Sequence, residues 1–309
     1  MNRLSGLAAA AALVLSGAGA QAATLYDGYR TAGGAGGIDY IDPSTLVDKG
    51  KFVPLADQPI GLAVGGGGTF TSFADHTIAR RNLSGGLSVS TFTGPAFTPG
   101  LLAFGANTLF VGFTNAANAT GVDFLDATTL ADTGKSFFVP NALSGLAFGD
   151  NDVFVSYSHY IAEYDLTGAL MQVVNTGPSF IPEALAFGDG KLFVGFKNKD
   201  SGATGIDFMD GASLIELGKV IYTPTLALGL AYGGGELFGS FDHSLKGWDL
   251  TGAEVSTINT GPYYFSGQIA YGPDAPGGRG VPEPATWALM ILGFGAAGLR
   301  LRRTRAALA

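Results

Sequence analysis

Between residues 23 and 273 the apolar positions fall in short runs separated by Gly, Asp and Asn, which predicts short strands joined by tight turns. One strand pattern, aromatic–x–small–aromatic, occurs six times: Tyr26…Tyr29, Phe70…Phe73, Phe110…Phe113, Phe154…Tyr157, Phe193…Phe196 and Phe238…Phe241. Successive copies start 44, 40, 44, 39 and 45 residues apart. A unit of ~40–45 residues with Gly/Asp turns has the size of one four-stranded propeller blade. Aromatics three apart point to opposite faces of a strand. Both faces must then be covered, as they are when a blade stands between two neighbours.

A longer period runs over this one. Gly37-Ile38-Asp39-Tyr40-Ile41-Asp42 recurs as Gly121-Val122-Asp123-Phe124-Leu125-Asp126 and Gly205-Ile206-Asp207-Phe208-Met209-Asp210, each 84 residues on. The body is three modules of about 84 residues, each a pair of blades. Five blades open on a strand of the type Leu102-Ala103-Phe104-Gly105; the first lacks one, and a spare copy, Ile269-Ala270-Tyr271-Gly272, stands at the far end. This arrangement predicts an all-β, six-bladed propeller over residues 23–273, its ring closed by the C-terminal strand so that no sheet edge is left open. The run from Leu185 to Phe196, Leu-Ala-Phe-Gly-Asp-Gly-Lys-Leu-Phe-Val-Gly-Phe, followed by Gly-Ile-Asp-Phe, resembles YVTN/NHL-type propeller repeats. The resemblance implies fold alone; relatives of that architecture include lactonases, calcium-dependent hydrolases and many proteins that only bind.

The two ends read as addresses. Residues 1–22 combine Arg3, a short Ala/Leu-rich core and Ala20-Gln21-Ala22, the features of a secretory signal peptide. After a linker over 274–280, residues 281–309 hold Val281-Pro282-Glu283-Pro284, an apolar segment from Ala285 to Leu299, and Arg300, Arg302, Arg303 and Arg305. A short transmembrane helix stopped by arginines is expected there. Fifteen residues span ~22 Å, short of a ~30 Å hydrocarbon core, so a transient membrane hold is expected. Residues Val281 to Arg305 resemble the PEP-CTERM sorting signal of Gram-negative bacteria. That resemblance implies delivery by the secretion translocon to the inner membrane, processing by an exosortase near Pro282–Pro284, and release to the cell surface or an exopolysaccharide matrix, as in biofilms.

Composition narrows the chemistry. With Cys 0, disulfide frameworks, thiolate metal sites and cysteine nucleophiles are excluded. The chain has 17 basic and 25 acidic residues, and without Arg3, Glu283 and the four C-terminal arginines the body is near −12. Nucleic acid is a poor partner for such a surface. No nucleophile elbow, H-E-x-x-H or phosphate loop is present, and Gly65-Gly66-Gly67-Gly68 reads as a turn.

Three sets of repeated polar residues remain. The chain has three histidines, and His76, His159 and His243 share one repeat position, in a hairpin after an aromatic strand. They are candidates for a three-fold metal or anion site, against a plainer role bonding their own blade. Asp42, Asp126, Asp165, Asp210 and Asp249, with Asn82, precede turn residues and are expected to cap them. Asp39, Asp123 and Asp207 occur only in the first blade of each pair, opposite Ala79, Ala162 and Lys246, and are the better candidates for a cation such as Ca²⁺ or for a ligand. Tyr157, Tyr160, Tyr263, Tyr264 and Trp248 offer either sugar-stacking faces or inter-blade core. The function expected is a non-enzymatic binding or adhesion component without a catalytic cofactor, with exopolysaccharide as partner. The alternative is a propeller hydrolase or lactonase with a central divalent cation.

Overall fold

In the computed structural model, which describes residues 23–274, the chain forms 24 strands in six four-stranded antiparallel sheets. Blade 1 is built, from the axis outward, of β24 (Tyr264–Pro273), β1 (Ala23–Thr31), β2 (Gly36–Ile41) and β3 (Asp48–Leu55). Blade 2 is β4 (Gly61–Gly65), β5 (Gly68–Ser72), β6 (Thr77–Asn82) and β7 (Leu87–Phe92). Blade 3 is β8 (Phe97–Gly105), β9 (Thr108–Asn115), β10 (Thr120–Asp126) and β11 (Asp132–Val139). Blade 4 is β12 (Leu143–Gly149), β13 (Asp152–Tyr157), β14 (Tyr160–Tyr164) and β15 (Leu170–Asn175). Blade 5 is β16 (Phe180–Gly188), β17 (Lys191–Asn198), β18 (Thr204–Asp210) and β19 (Glu216–Thr223). Blade 6 is β20 (Gly229–Gly233), β21 (Glu236–Phe241), β22 (Ser244–Asp249) and β23 (Glu254–Asn259).

The expected closure is what forms. β24 pairs antiparallel with β1, placing Ala270 opposite Tyr26 and Pro273 opposite Ala23. The Tyr26 hydroxyl donates to Pro273 O at 2.6 Å, and Lys49 Nζ ties the same end through Ala23 O and Thr24 Oγ1. The expected signal peptide and sorting helix lie outside the described residues, among which no helix is long and apolar enough to cross a membrane.

Local chemistry sets the strands. In β9 Leu109, Phe110 and Val111 are fully buried, so an aliphatic and aromatic run covers both faces. Hairpins from inner to second strand turn on two residues of positive φ, such as Gly66-Gly67 and Asp150-Asn151, the geometry that matches strand twist. Between blades the packing is aromatic. Phe110 stacks on Phe148 at 5.2 Å, Phe154 on Phe187 at 5.0 Å and Phe193 on Tyr232 at 5.3 Å, each a second strand against the next inner strand.

Alternation of strand direction gives the ring two unlike faces. Hairpins from second to third strand share one face with the crossovers that lead to the next blade; we term it the crossover face. The remaining hairpins share the opposite face with Ala23 and Asp274.

Candidate functional site

The histidines lie on the crossover face but do not converge. His76 Nδ1 meets Phe97 O at 2.9 Å, His159 Nδ1 meets Phe180 O at 3.1 Å, and His243 Nδ1 meets Tyr264 O at 3.1 Å. Each imidazole therefore ties a hairpin to the start of the following inner strand. The histidine carbonyls reinforce the tie by accepting from the backbone N–H of Thr93, Thr176 and Thr260. Among the described residues no three His, Asp or Glu side chains come together to hold a metal ion. The plainer role is the one the geometry supports.

The turn aspartates sit on the opposite face and cap as expected. Asp126 Oδ1 accepts from Thr129 N at 2.8 Å, Asp165 Oδ1 from Thr167 N at 2.8 Å and Asp249 Oδ1 from Thr251 N at 2.7 Å. Hydrogen bonds to the ionised form hold these carboxyls below the usual range; for Asp165 the largest contribution is the Thr167 hydroxyl.

Asp39, Asp123 and Asp207 occupy one kind of site three times. Each stands at a bulge between third and outer strand, and each Oδ1 accepts the N–H of the next residue: Tyr40 at 2.9 Å, Phe124 at 3.0 Å and Phe208 at 2.8 Å. The bulge removes that N–H from its ladder, so the carboxylate supplies the missing acceptor. A second acid faces each one: Asp48 for Asp39, Asp132 for Asp123, Glu216 for Asp207. Burial, then the like charge of these partners, pushes Asp123 and Asp207 up to about 6 and Asp39 up to about 7. Sequence reasoning missed the partners, although they repeat at the same 84-residue spacing. At Asp123 and Asp132 the pair opens on a cavity of about 250 Å³ between blades 2 and 3, walled by Thr91, Thr93, Phe97 and Leu125.

The axis itself is apolar. The central channel, about 130 Å³, is lined by side chains such as Leu102, Ala147, Leu185 and Tyr232 from the six inner strands. A cavity of about 470 Å³ opens on the crossover face beside the channel mouth. Its walls include Ile60, Leu101, Phe113 and Leu143, with Thr98 and Glu183 as polar groups. Glu183 takes the position that is Gly100 and Gly267 in the matching inner strands, so it departs from the repeat. Burial pushes its carboxyl up while the charge of Lys197 opposes. No motif marked this cavity; comparing the modules at position 183 is the signal that could have found it. Of the five aromatic candidates, Tyr157 and Trp248 are core, Tyr160 and Tyr264 are half-buried, and Tyr263 alone is exposed.

Residues 280–305 match the model of the PEP-CTERM protein-sorting motif. The chain thus carries an exosortase sorting signal, which implies export and membrane-anchored sorting, behind a six-bladed propeller body. No curated protein matches it. Among solved structures it is similar to a protein of unknown function from Bacteroides caccae, at 12% identity and a TM-score of 0.60, covering 80% of this chain and 98% of that one. It is also similar to a chain of the nidogen/laminin complex, at 16% identity and a TM-score of 0.59, covering 82% of this chain and 100% of that one. These likenesses show the fold alone. With 1062 solved chains matching, the fold does not select a function.

Proposed function

We propose that the protein is an exported propeller, processed by an exosortase, that binds saccharide chains of the surrounding matrix through the cavity on the crossover face. The observation that carries this reading is the sorting motif at 280–305 behind a rigid propeller. The cavity supports it. An apolar wall of Leu101, Phe113 and Leu143 suits the C–H face of a sugar ring, and Thr98 and Glu183 supply polar groups for its hydroxyls. Glu183 is the one carboxylate lining that cavity among the described residues, which favours binding over acid–base pairs that work in twos. The acidic body argues against nucleic acid as partner.

Calorimetric titration of the purified protein with exopolysaccharide from the producing cells tests the ligand. Saturable heat, weakened about tenfold in Glu183→Gln, which is the loss of one hydrogen bond to a charged group, supports the site. Absence of saturable binding, or equal affinity in Glu183→Gln, overturns it. Processing is tested separately by replacing Pro282, Glu283 and Pro284 with Ala. Retention of the C-terminal segment in the variant's mass is expected; an unchanged mature mass overturns exosortase processing.

A further inference from the structure

Blade 1 departs from the three-fold repeat at three positions that touch one another. Asp27 on β1 stands where the matching second strands carry Val111 and Val194. Tyr264 on β24 stands where the matching inner strands begin with Phe97 and Phe180, and Ser266 stands where they have Pro99 and Pro182. The packing is kept: Tyr264 stacks on Tyr29 at 4.7 Å, as Phe97 does on Phe113 at 4.6 Å and Phe180 on Phe196 at 4.5 Å. What the three exchanges add is polar atoms, all at the junction of the first strand with the last.

Asp27 is fully buried. Its Oδ2 accepts from Ser266 Oγ at 2.7 Å and from the Tyr264 hydroxyl at 3.0 Å, and its Oδ1 accepts from Gly267 N at 3.3 Å. The same tyrosine hydroxyl lies 3.3 Å from Asp39 Oδ2, on the residue paired with Asp27 across β1 and β2. One O–H has one proton, so it cannot serve two ionised carboxylates at once. Asp48 faces Asp39 across the bulge as a like charge, and a proton on Asp39 relieves that repulsion. The geometry of the cluster is therefore satisfied with a proton on board and frustrated without it.

We propose that this cluster is a proton-operated clasp: a proton held between Asp27 and Asp39 locks the first strand to the last, and its loss loosens the closing seam ahead of the other inner-strand pairs. Burial pushes Asp27 up to about 6, and burial with the charges of Asp48 and Asp27 pushes Asp39 up to about 7. The folded seam thus holds protons that the unfolded chain releases near pH 4. Its stability is complete below about pH 4 and falls as pH rises towards 7.

The other titratable groups around the cluster come from two elements. Tyr29 and Arg30 lie on β1, the Arg30 guanidinium 5.4 Å from the centre of the Phe265 ring, and Asp242 with His243 forms the hairpin of blade 6, where Asp242 O accepts from Ser266 N at 3.2 Å. His243 bonds Tyr264 O and pairs with Asp242 at 3.4 Å. From the crossover between β3 and β4, the neutral Gln58 and Pro59 approach the backbone at Gly267 and Gly28. Lys49 acts at the far end of the seam, on Ala23, Thr24 and Asp274.

Hydrogen exchange of the full chain, followed by mass spectrometry between pH 5 and 8 and corrected for intrinsic rates, tests the clasp. Peptides from β1 and β24 should lose protection by about tenfold or more across this range relative to β8 and β9, since one shifted carboxyl alone changes tenfold per unit. Asp27→Asn, neutral at every pH and close in shape, should reduce that extra slope, leaving the part that Asp39 contributes beside Asp48. Tyr264→Phe keeps the ring stack and removes the donor to the ionised form, so it should move the loss of protection to higher pH. It serves where Asp27→Asn does not fold. Equal pH slopes for the seam and for β8 and β9 in the unmodified protein overturn the proposal, as does a slope unchanged in Asp27→Asn.

Discussion

Gly105 lies flat beneath the ring of Phe148: a Cβ at Gly105 would come within 1.8 Å of the ring's Cδ1. The same contact recurs at Gly149 under Phe187 and at Gly188 under Tyr232, also at 1.8 Å. This explains why each opening strand ends in glycine, which follows an aromatic residue in five blades and Val64 in blade 2. The ring of one blade needs a bare backbone on the preceding blade as its floor. Gly105→Ala should therefore push blades 3 and 4 apart and cost about 3 kcal/mol, the upper part of the range for overpacking. Denaturant midpoints check this, and pairing Gly105→Ala with Phe148→Leu should recover part of the loss. An unchanged midpoint would mean that the ring has room to tilt away.

The histidines make a second prediction. If each is a local tie, His159→Ala should cost about 1 kcal/mol, the net worth of one hydrogen bond. Adding His243→Ala should cost as much again, because the two ties share no partner and lie in different blades. Urea denaturation of the single and double variants measures this. A double variant much worse than the sum would instead indicate a shared site.

How much of this was written in the sequence depends on the reach of each interaction. Blade number and ring closure were legible because an 84-residue period and one displaced opening strand, Ile269 to Gly272, are patterns in the chain itself. The turn caps at Asp126 and Asp165 were legible because a short polar side chain and its N–H partners lie two to four residues apart. Asp48 was not read as the partner of Asp39, since only the bulge at Tyr40 brings them face to face. The cluster at Asp27 joins residues more than 200 positions apart. Its signal was nevertheless present, as three simultaneous departures from the repeat at Asp27, Tyr264 and Ser266. The cavity at Glu183 depends on how the crossovers settle, which no spacing specifies.

Asp165 supplies a third test, with the sign of its pH dependence fixed by its bonds. Hydrogen bonds from the Thr167 hydroxyl and from backbone N–H groups favour the ionised form and lower its titration below that of the unfolded chain. Its contribution is then present above about pH 4 and lost as pH falls through the native value. Asp165→Ala should weaken the protein at pH 7 and make little difference near pH 2, as thermal melts at both values will show. Equal effects at the two pH values would place the contribution in packing rather than in the cap.

Asp123 should behave in the opposite sense. Burial beside Asp132 pushes its carboxyl up to about 6, so the folded state holds a proton that the unfolded chain has released. Stability from this site is complete below about pH 4 and declines as pH rises to about 6. A carbon-13 titration of the Asp123 carboxyl should show its midpoint near that elevated value. Asp132→Asn keeps an acceptor for Gly134 N, which Asp132 Oδ1 holds at 2.6 Å, while removing the like charge. The Asp123 midpoint should then drop, and the protein should gain stability at pH 7. A wild-type midpoint near 4 would mean that water in the 250 Å³ cavity solvates both carboxylates and that the pair carries no strain.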